Sequence, residues 1–123
     1  MQNVPVQRHR FIIEGFECLI QPTEQLCCEF MNALTSELKM NLWQGPFSGV
    51  VQAEQGKEPG YSAVVMWLES GAQLHHWSNY RFITLDIFSC RPFSILGAES
   101  LFRTYFQPEE VRNCTPVLRH QKG

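Results

Sequence analysis

The chain has 123 residues, 44% of them hydrophobic and 18% charged, with a formal net charge of −2. This is the length of one domain with enough apolar content for a core, and the charge balance leaves no basic footprint for nucleic acid or an anionic membrane surface. No apolar run approaches the ~20 residues that span a bilayer, and the polar start Met1-Gln2-Asn3-Val4-Pro5 lacks the apolar stretch of a secretory signal, so a cytoplasmic protein is expected.

Arg10 to Phe16 is a short apolar run with aromatic and β-branched residues and is predicted to be a strand. Pro22-Thr23 then opens a helix, with Thr23 as cap and Glu24 in the first turn. Cys27, Phe30, Met31, Leu34 and Leu38 mark its buried face, and it is expected to run to about Lys39. Gly45-Pro46 breaks the chain, and Phe47 to Ala53 is a weak strand. The polar stretch Glu54 to Gly60 is a loop or hairpin turn. Tyr61 to Glu69 is a near-continuous apolar strand, expected at the centre of the sheet. Ser70-Gly71-Ala72 interrupts it, and Ser78-Asn79 turns the chain again. Tyr80 to Ser89 is the third strong strand, apolar on both faces apart from Arg81, Thr84 and Asp86, which implies that both faces are covered.

Pro92-Phe93-Ser94 opens a second helix with Ile95, Leu96, Leu101, Phe102, Tyr105 and Phe106 inward, ended by Pro108. Thr115 to His120 is a possible last strand. The order β-α-β-β-β-α-β predicts an α+β protein, a two-layer α/β sandwich with helices on one face of a mostly antiparallel sheet. Residues 1–123 form a single domain in this reading. The other face of the sheet is too apolar for water and is expected to pack against a second copy, which suits a domain this small. The five cysteines, Cys18, Cys27, Cys28, Cys90 and Cys114, are odd in number and irregular in spacing. They read as reduced thiols, and the histidines do not complete a zinc pattern, so no metal is expected.

Three features stand apart from the core pattern: Glu69-Ser70-Gly71 at the end of an apolar strand, Leu74-His75-His76-Trp77 just after it, and Asp86-Ile87-Phe88-Ser89-Cys90 at the end of the next strand. If those strands pair, Ser70 and His75 lie near one sheet edge with Cys90 in reach. Each feature also has a plain structural reading. Ser-Gly ends strands in many proteins, adjacent histidines in a strand point to opposite faces, and a single Cys after an apolar strand is usually a buried thiol. Without a supporting carboxylate, a Ser, a His and a Cys do not define a hydrolase triad.

Taken together, the three features resemble the processing region of prokaryotic S-adenosylmethionine decarboxylases. In that family a strand with Gly-x-Ser (Gly60-Tyr61-Ser62 here) leads to Glu-Ser, here Glu69-Ser70. A His follows five residues after that Ser and a Trp two further on, matching His75 and Trp77. The next strand ends Asp-x-Phe-(Ser/Thr)-Cys, matching Asp86 to Cys90. Glu14 and Cys18 match the first strand loosely. The resemblance covers about Arg10 to Phe106.

It implies self-cleavage between Glu69 and Ser70 into residues 1–69 and 70–123. Ser70 attacks the Glu69 carbonyl, Ser62 stabilises the cyclic intermediate, and His75 removes the α-proton. Ser70 thereby becomes a pyruvoyl cofactor, which forms a Schiff base with the substrate amine. Cys90 is then the general acid. Trp77, Glu14, Glu17 and Asn79 are the candidate substrate-binding residues. The substrate implied is S-adenosylmethionine, in polyamine (spermidine) biosynthesis, and the assembly is a homodimer with sites at its interface.

The sequence departs from that family where the nucleoside is held. The family's Trp-Pro-Glu, whose Glu is associated with the ribose hydroxyls, is Trp77-Ser78-Asn79 here. The segment Gly56 to Gly60 lacks the aromatic that stacks on adenine, leaving Phe47 or Tyr61 as substitutes. The residue after the cleavage serine, often His in the family, is Gly71. A basic amino acid such as ornithine or arginine is therefore the alternative substrate, and an uncleaved, non-catalytic regulatory or binding relative is the third reading.

Overall fold

The computed structural model describes residues 4–52, 54 and 58–116. Six strands form one antiparallel sheet: β1 (His9–Phe16), β2 (Leu42–Val51), β3 (Gly60–Trp67), β4 (Ser70–Trp77), β5 (Phe82–Ser89) and β6 (Glu110–Cys114), in the spatial order β2-β3-β4-β5-β1-β6. Helices α1 (Glu24–Glu37) and α2 (Ile95–Phe106) cover one face. The α+β sandwich expected from the sequence is the fold observed.

Alternation decides which side chains meet the helices. Phe11 and Ile13 of β1, Ala63, Val65 and Trp67 of β3, Ala72 and Leu74 of β4, and Ile83, Leu85 and Ile87 of β5 all turn to one face and are buried. They pack against Cys27, Phe30, Met31 and Leu34 of α1, the stripe that the sequence spacing marks. The Thr23 hydroxyl caps α1 by accepting from Leu26 N–H at 3.1 Å. Trp67 enters the core because its indole N–H finds the buried Thr35 hydroxyl at 2.8 Å, which donates on to the Met31 carbonyl at 2.7 Å. Phe30 meets Phe102 and Phe106 of α2 at ring-centroid distances of 6.3 and 4.9 Å. Burying each such ring stabilises the fold by about 1.5–3 kcal/mol.

Several sequence expectations shift. Ser70-Gly71-Ala72 is no interruption: the turn is Leu68-Glu69 alone, and Ser70 already pairs with Trp67 as the first residue of β4. The sheet thus has one more strand than expected, and β4 and β5, not β3, are its middle strands. The expected order missed this hairpin because Leu68-Glu69 carries none of the Asn-Gly or Asp-Gly chemistry of two-residue turns. Glu69 supplies the left-handed residue instead, at φ +60°.

Strand β2 begins at Leu42, before the expected break, and passes through Gly45-Pro46 with two register shifts. An edge strand tolerates proline and bulges where a central one does not. Ala53, the expected end of that strand, lies outside the described residues. The last strand is Glu110–Cys114, not Thr115 to His120. Thr115 and Pro116 lie past its end, and residues 117–120 lie outside the described residues. Only Val111 of β6 packs on the core, so its polar sequence gives no apolar alternation to read.

In α2 the buried stripe is Ala98, Phe102 and Phe106, with Leu101 and Tyr105 flanking it. Ile95 and Leu96 face outward, Leu96 at 83% exposure, because a stripe centred on Ala98 turns the helix's first residues away from the sheet. All five cysteines are free thiols. The second face of the sheet is open in the single chain. Val64, Met66, Phe88 and Phe47 lie exposed on it, beside Gln73 of β4 and the two polar residues of β5 that the sequence singled out, Thr84 and Asp86.

Candidate active site

The β3–β4 hairpin positions most of the candidate residues. Its register sets Trp67 opposite Ser70, Ser62 opposite His75 and Gly60 opposite Trp77. Gly60 is required there, since a Cβ would lie 1.7 Å from the His76 carbonyl oxygen. At the turn, Leu68 N–H is tied to the Asn41 carbonyl at 3.1 Å, and Glu69 is held in the left-handed region. A non-glycine residue there costs on the order of 1 kcal/mol or more, and the strain sits on the residue whose carbonyl precedes Ser70.

Ser70 and Cys90 meet. The Ser70 hydroxyl accepts from Cys90 N–H at 3.1 Å and donates toward the Cys90 sulfur at 3.6 Å. The bend that carries Cys90 is fixed by buried Ser89, whose hydroxyl accepts from Arg91 N–H at 3.1 Å and donates to the Arg91 carbonyl at 2.6 Å. Beside this pair, a concavity of about 570 Å³ opens on the uncovered face, lined by Val64, Met66, Phe88, Gly71, Arg10 and Asp86. Arg10 grips the Asp86 carboxylate with two hydrogen bonds, at 3.0 and 2.5 Å. The sequence signalled Asp86 but gave no sign of Arg10, because their pairing depends on the β1–β5 register.

Ser62 and His75 form a second pair, with Ser62 Oγ 2.5 Å from His75 Nδ1. Burial holds the His75 imidazole below its ordinary pKa. Trp77 packs edge-on against the ring at a centroid distance of 4.2 Å and begins a ladder across the open face. Phe82 stacks on Trp77, Phe16 follows at 5.0 Å, and the Arg112 guanidinium lies over Phe16. His76 points the other way, as strand alternation requires. It is 1% exposed, shares a 2.8 Å hydrogen bond with the Gln21 side-chain oxygen, and is pushed down to about 4 by burial and by neighbouring His75.

The two pairs stand apart. His75 lies five residue steps along extended β4 from Ser70, a distance of about 16 Å at strand rise. Ser70 and Cys90 share one end of the sheet, as expected, whereas His75 and Ser62 lie toward the other.

Glu14 stands in the cross-strand row of His75 and Thr84. Glu17 turns off that row into a separate concavity with Arg81 and Glu109. The Asn79 amide donates to the Glu58 carboxylate at 2.7 Å. Tyr61 stacks on buried His76 on the helix-covered face, so of the two substitute aromatics only Phe47 is on the open face. Gly56 and Lys57 lie outside the described residues. No helix among the described residues is long and apolar enough to cross a membrane.

This arrangement of sheet and helices is the fold of a known decarboxylase. The solved structure of the adenosylmethionine decarboxylase from Aquifex aeolicus VF5 matches with a TM-score of 0.68 over 98% of this chain and 99% of that one, at 12% identity. The model of the S-adenosylmethionine decarboxylase family matches residues 9–116, and the chain belongs to that family. A comparison with curated proteins finds no match. Membership implies a carboxy-lyase.

Proposed function

We propose that the protein is a self-processing, pyruvoyl-dependent decarboxylase of S-adenosylmethionine, acting in polyamine biosynthesis, with each active site assembled from two copies of the chain. The observation that carries this reading is the Ser70 hydroxyl, bonded by Cys90 N–H and following a left-handed Glu69. The residues around Ser70 fit the formation of a pyruvoyl group. Ser70 Oγ attacks the Glu69 carbonyl carbon, and the peptide becomes an ester with relief of the strain at Glu69. Ser62 and the His75 to which it is hydrogen-bonded come from the second copy, and this Ser62 stabilises the oxygen that develops negative charge. Neutral His75 takes the α-proton of residue 70, and elimination breaks the Cβ–O bond, leaving Glu69 as a carboxylate. Water then releases ammonia from residue 70 and leaves a ketone.

When present, the group supplies an electron-withdrawing carbonyl for a substrate amine as carbon dioxide leaves. Cys90 holds the proton that replaces the lost carboxyl, from a thiol 3.6 Å from the residue 70 side-chain oxygen. Cys90→Ala is expected to cleave itself normally and to turn over on the order of 100-fold more slowly, measured as fragment formation on a gel against carbon dioxide release. Normal turnover removes the general-acid role.

His75 acts only as the neutral imidazole, and its pKa lies below the ordinary value because of burial. A lowered pKa keeps the base unprotonated further into acid. Self-cleavage of freshly translated chain should therefore be level through neutral pH and fall only below the ordinary histidine range of about 6.5. A fall centred above that range contradicts the assignment.

The aromatic ladder Trp77–Phe82–Phe16, its rings packed on one another across the open face, supports the nucleoside substrate as an apolar, π-rich surface for a planar base and a sulfonium cation. One observation favours a basic amino acid instead: the Asn79 amide is engaged with Glu58, so the position matching the family's ribose-binding Glu presents no free carboxylate of its own. Release of carbon dioxide from carboxyl-labelled S-adenosylmethionine, ornithine and arginine separates the two. Turnover of an amino acid alone rejects the first substrate. A chain that stays uncleaved on long incubation supports the regulatory reading.

A further inference from the structure

We propose that Arg91 is a binding site for the α-carboxylate that self-cleavage creates on Glu69, holding the new chain end clear of residue 70. The inference rests on the processing proposed above and concerns what processing leaves behind. Cleavage turns a neutral peptide group into an anion, on a residue whose side chain already carries a carboxylate. The anion is born next to the position that must admit the substrate's own carboxylate, and like charges at that spacing repel. A neighbouring cation that binds the new carboxylate would relieve that repulsion.

Two arginines line concavities that also contain Glu69. Arg10 is satisfied by the two hydrogen bonds to Asp86. Arg91 is not matched in charge. Its Nη2 donates to the Lys39 carbonyl and the Met40 sulfur, both neutral, and among the described residues no carboxylate bonds to it. Its place is fixed. Buried Ser89 clamps its backbone on both sides, and the preceding residue is Cys90, whose N–H holds Ser70.

The segment that Arg91 reaches is also tied to the scissile turn, since Asn41, two residues beyond Lys39, accepts from Leu68 N–H at 3.1 Å. A concavity of about 350 Å³ lined by Glu69, Cys90, Arg91 and Pro5 to Gln7 gives the freed end room to turn toward the guanidinium. A guanidinium fork donates two parallel hydrogen bonds to a carboxylate, which a carbonyl cannot match.

The test compares Arg91→Gln in the processed protein with Arg91→Gln in the uncleavable Ser70→Ala chain, which keeps the Glu69 side chain but has no α-carboxylate at position 69. We expect the substitution to lower the melting temperature of the processed form by about 3 °C more than that of the uncleaved form. It should also speed carboxypeptidase trimming of the 69-residue fragment at least tenfold, read by intact mass. Arg91→Lys keeps the charge without the fork and should give intermediate trimming, which serves if the Gln variant does not fold. Equal melting shifts in both backgrounds with unchanged trimming, or the same effects from Arg10→Gln and not from Arg91→Gln, overturn the inference while leaving self-processing intact. Failure of the wild-type chain to yield two fragments overturns both, and mass alone distinguishes that case.

Discussion

Ser70→Ala should leave one 14.3 kDa chain, with no fragment after days of incubation and no decarboxylation above background. The argument is one of atoms. The acyl shift needs an oxygen on the β-carbon of residue 70, and a methyl group supplies none. The same substitution removes the source of the ketone, so cleavage and turnover disappear together rather than in proportion.

The fold should survive. Ser70 opens β4 at the rim of the sheet, outside the buried cluster. The loss is the hydrogen bond from Cys90 N–H, worth about 1 kcal/mol, together with the longer contact to the Cys90 sulfur. An unchanged circular dichroism spectrum with a melting shift of a few degrees would show that the lost activity is chemical. Fragments of 1–69 and 70–123 forming from Ser70→Ala would remove Ser70 as the nucleophile, and with it the origin proposed for the cofactor.

Much of this architecture could be read from the residues. Thr23 followed by Cys27, Phe30, Met31 and Leu34 is a capped amphipathic helix in any context, and it forms where it was expected. Ser70 and Cys90 come together because two adjacent strands pair without a bulge, which fixes their ends. Features set by tertiary context were harder to read. Strand β4 was hidden because its turn is closed by strain at Glu69 instead of by glycine or asparagine. Strand β6 was hidden because an edge strand with one open face needs only Val111 inside. The separation of His75 from Ser70 follows from β4 running straight, and that was not visible while Ser70-Gly71-Ala72 read as a break. Neither the Arg10–Asp86 grip nor the Asn79–Glu58 bond has a local signature, since each joins side chains far apart in sequence.

The straightness of β4 leads to the second large effect. A single chain holds Ser70 with Cys90 and, about 16 Å along the strand, His75 with Ser62. A proton cannot be taken from residue 70 by a base that far away. The open face of the sheet carries exposed Val64, Met66, Phe88 and Phe47, and a two-fold partner laid on it antiparallel would set the Ser70 end of one chain against the His75 end of the other.

Co-expressing Ser70→Ala and His75→Ala chains tests this directly. Alone, each variant should stay uncleaved, one lacking the nucleophile and the other the base. Paired, the His75→Ala chain keeps its Ser70 and receives His75 from its partner, so its fragments should appear, while the Ser70→Ala chain remains whole. Each mixed dimer then has one complete site and one doubly defective one. Random pairing makes half of the dimers mixed, so activity should return to about a quarter of wild type. If both members of the reacting pair belonged to one chain, every site in the mixture would carry a defect, and neither fragments nor activity would return.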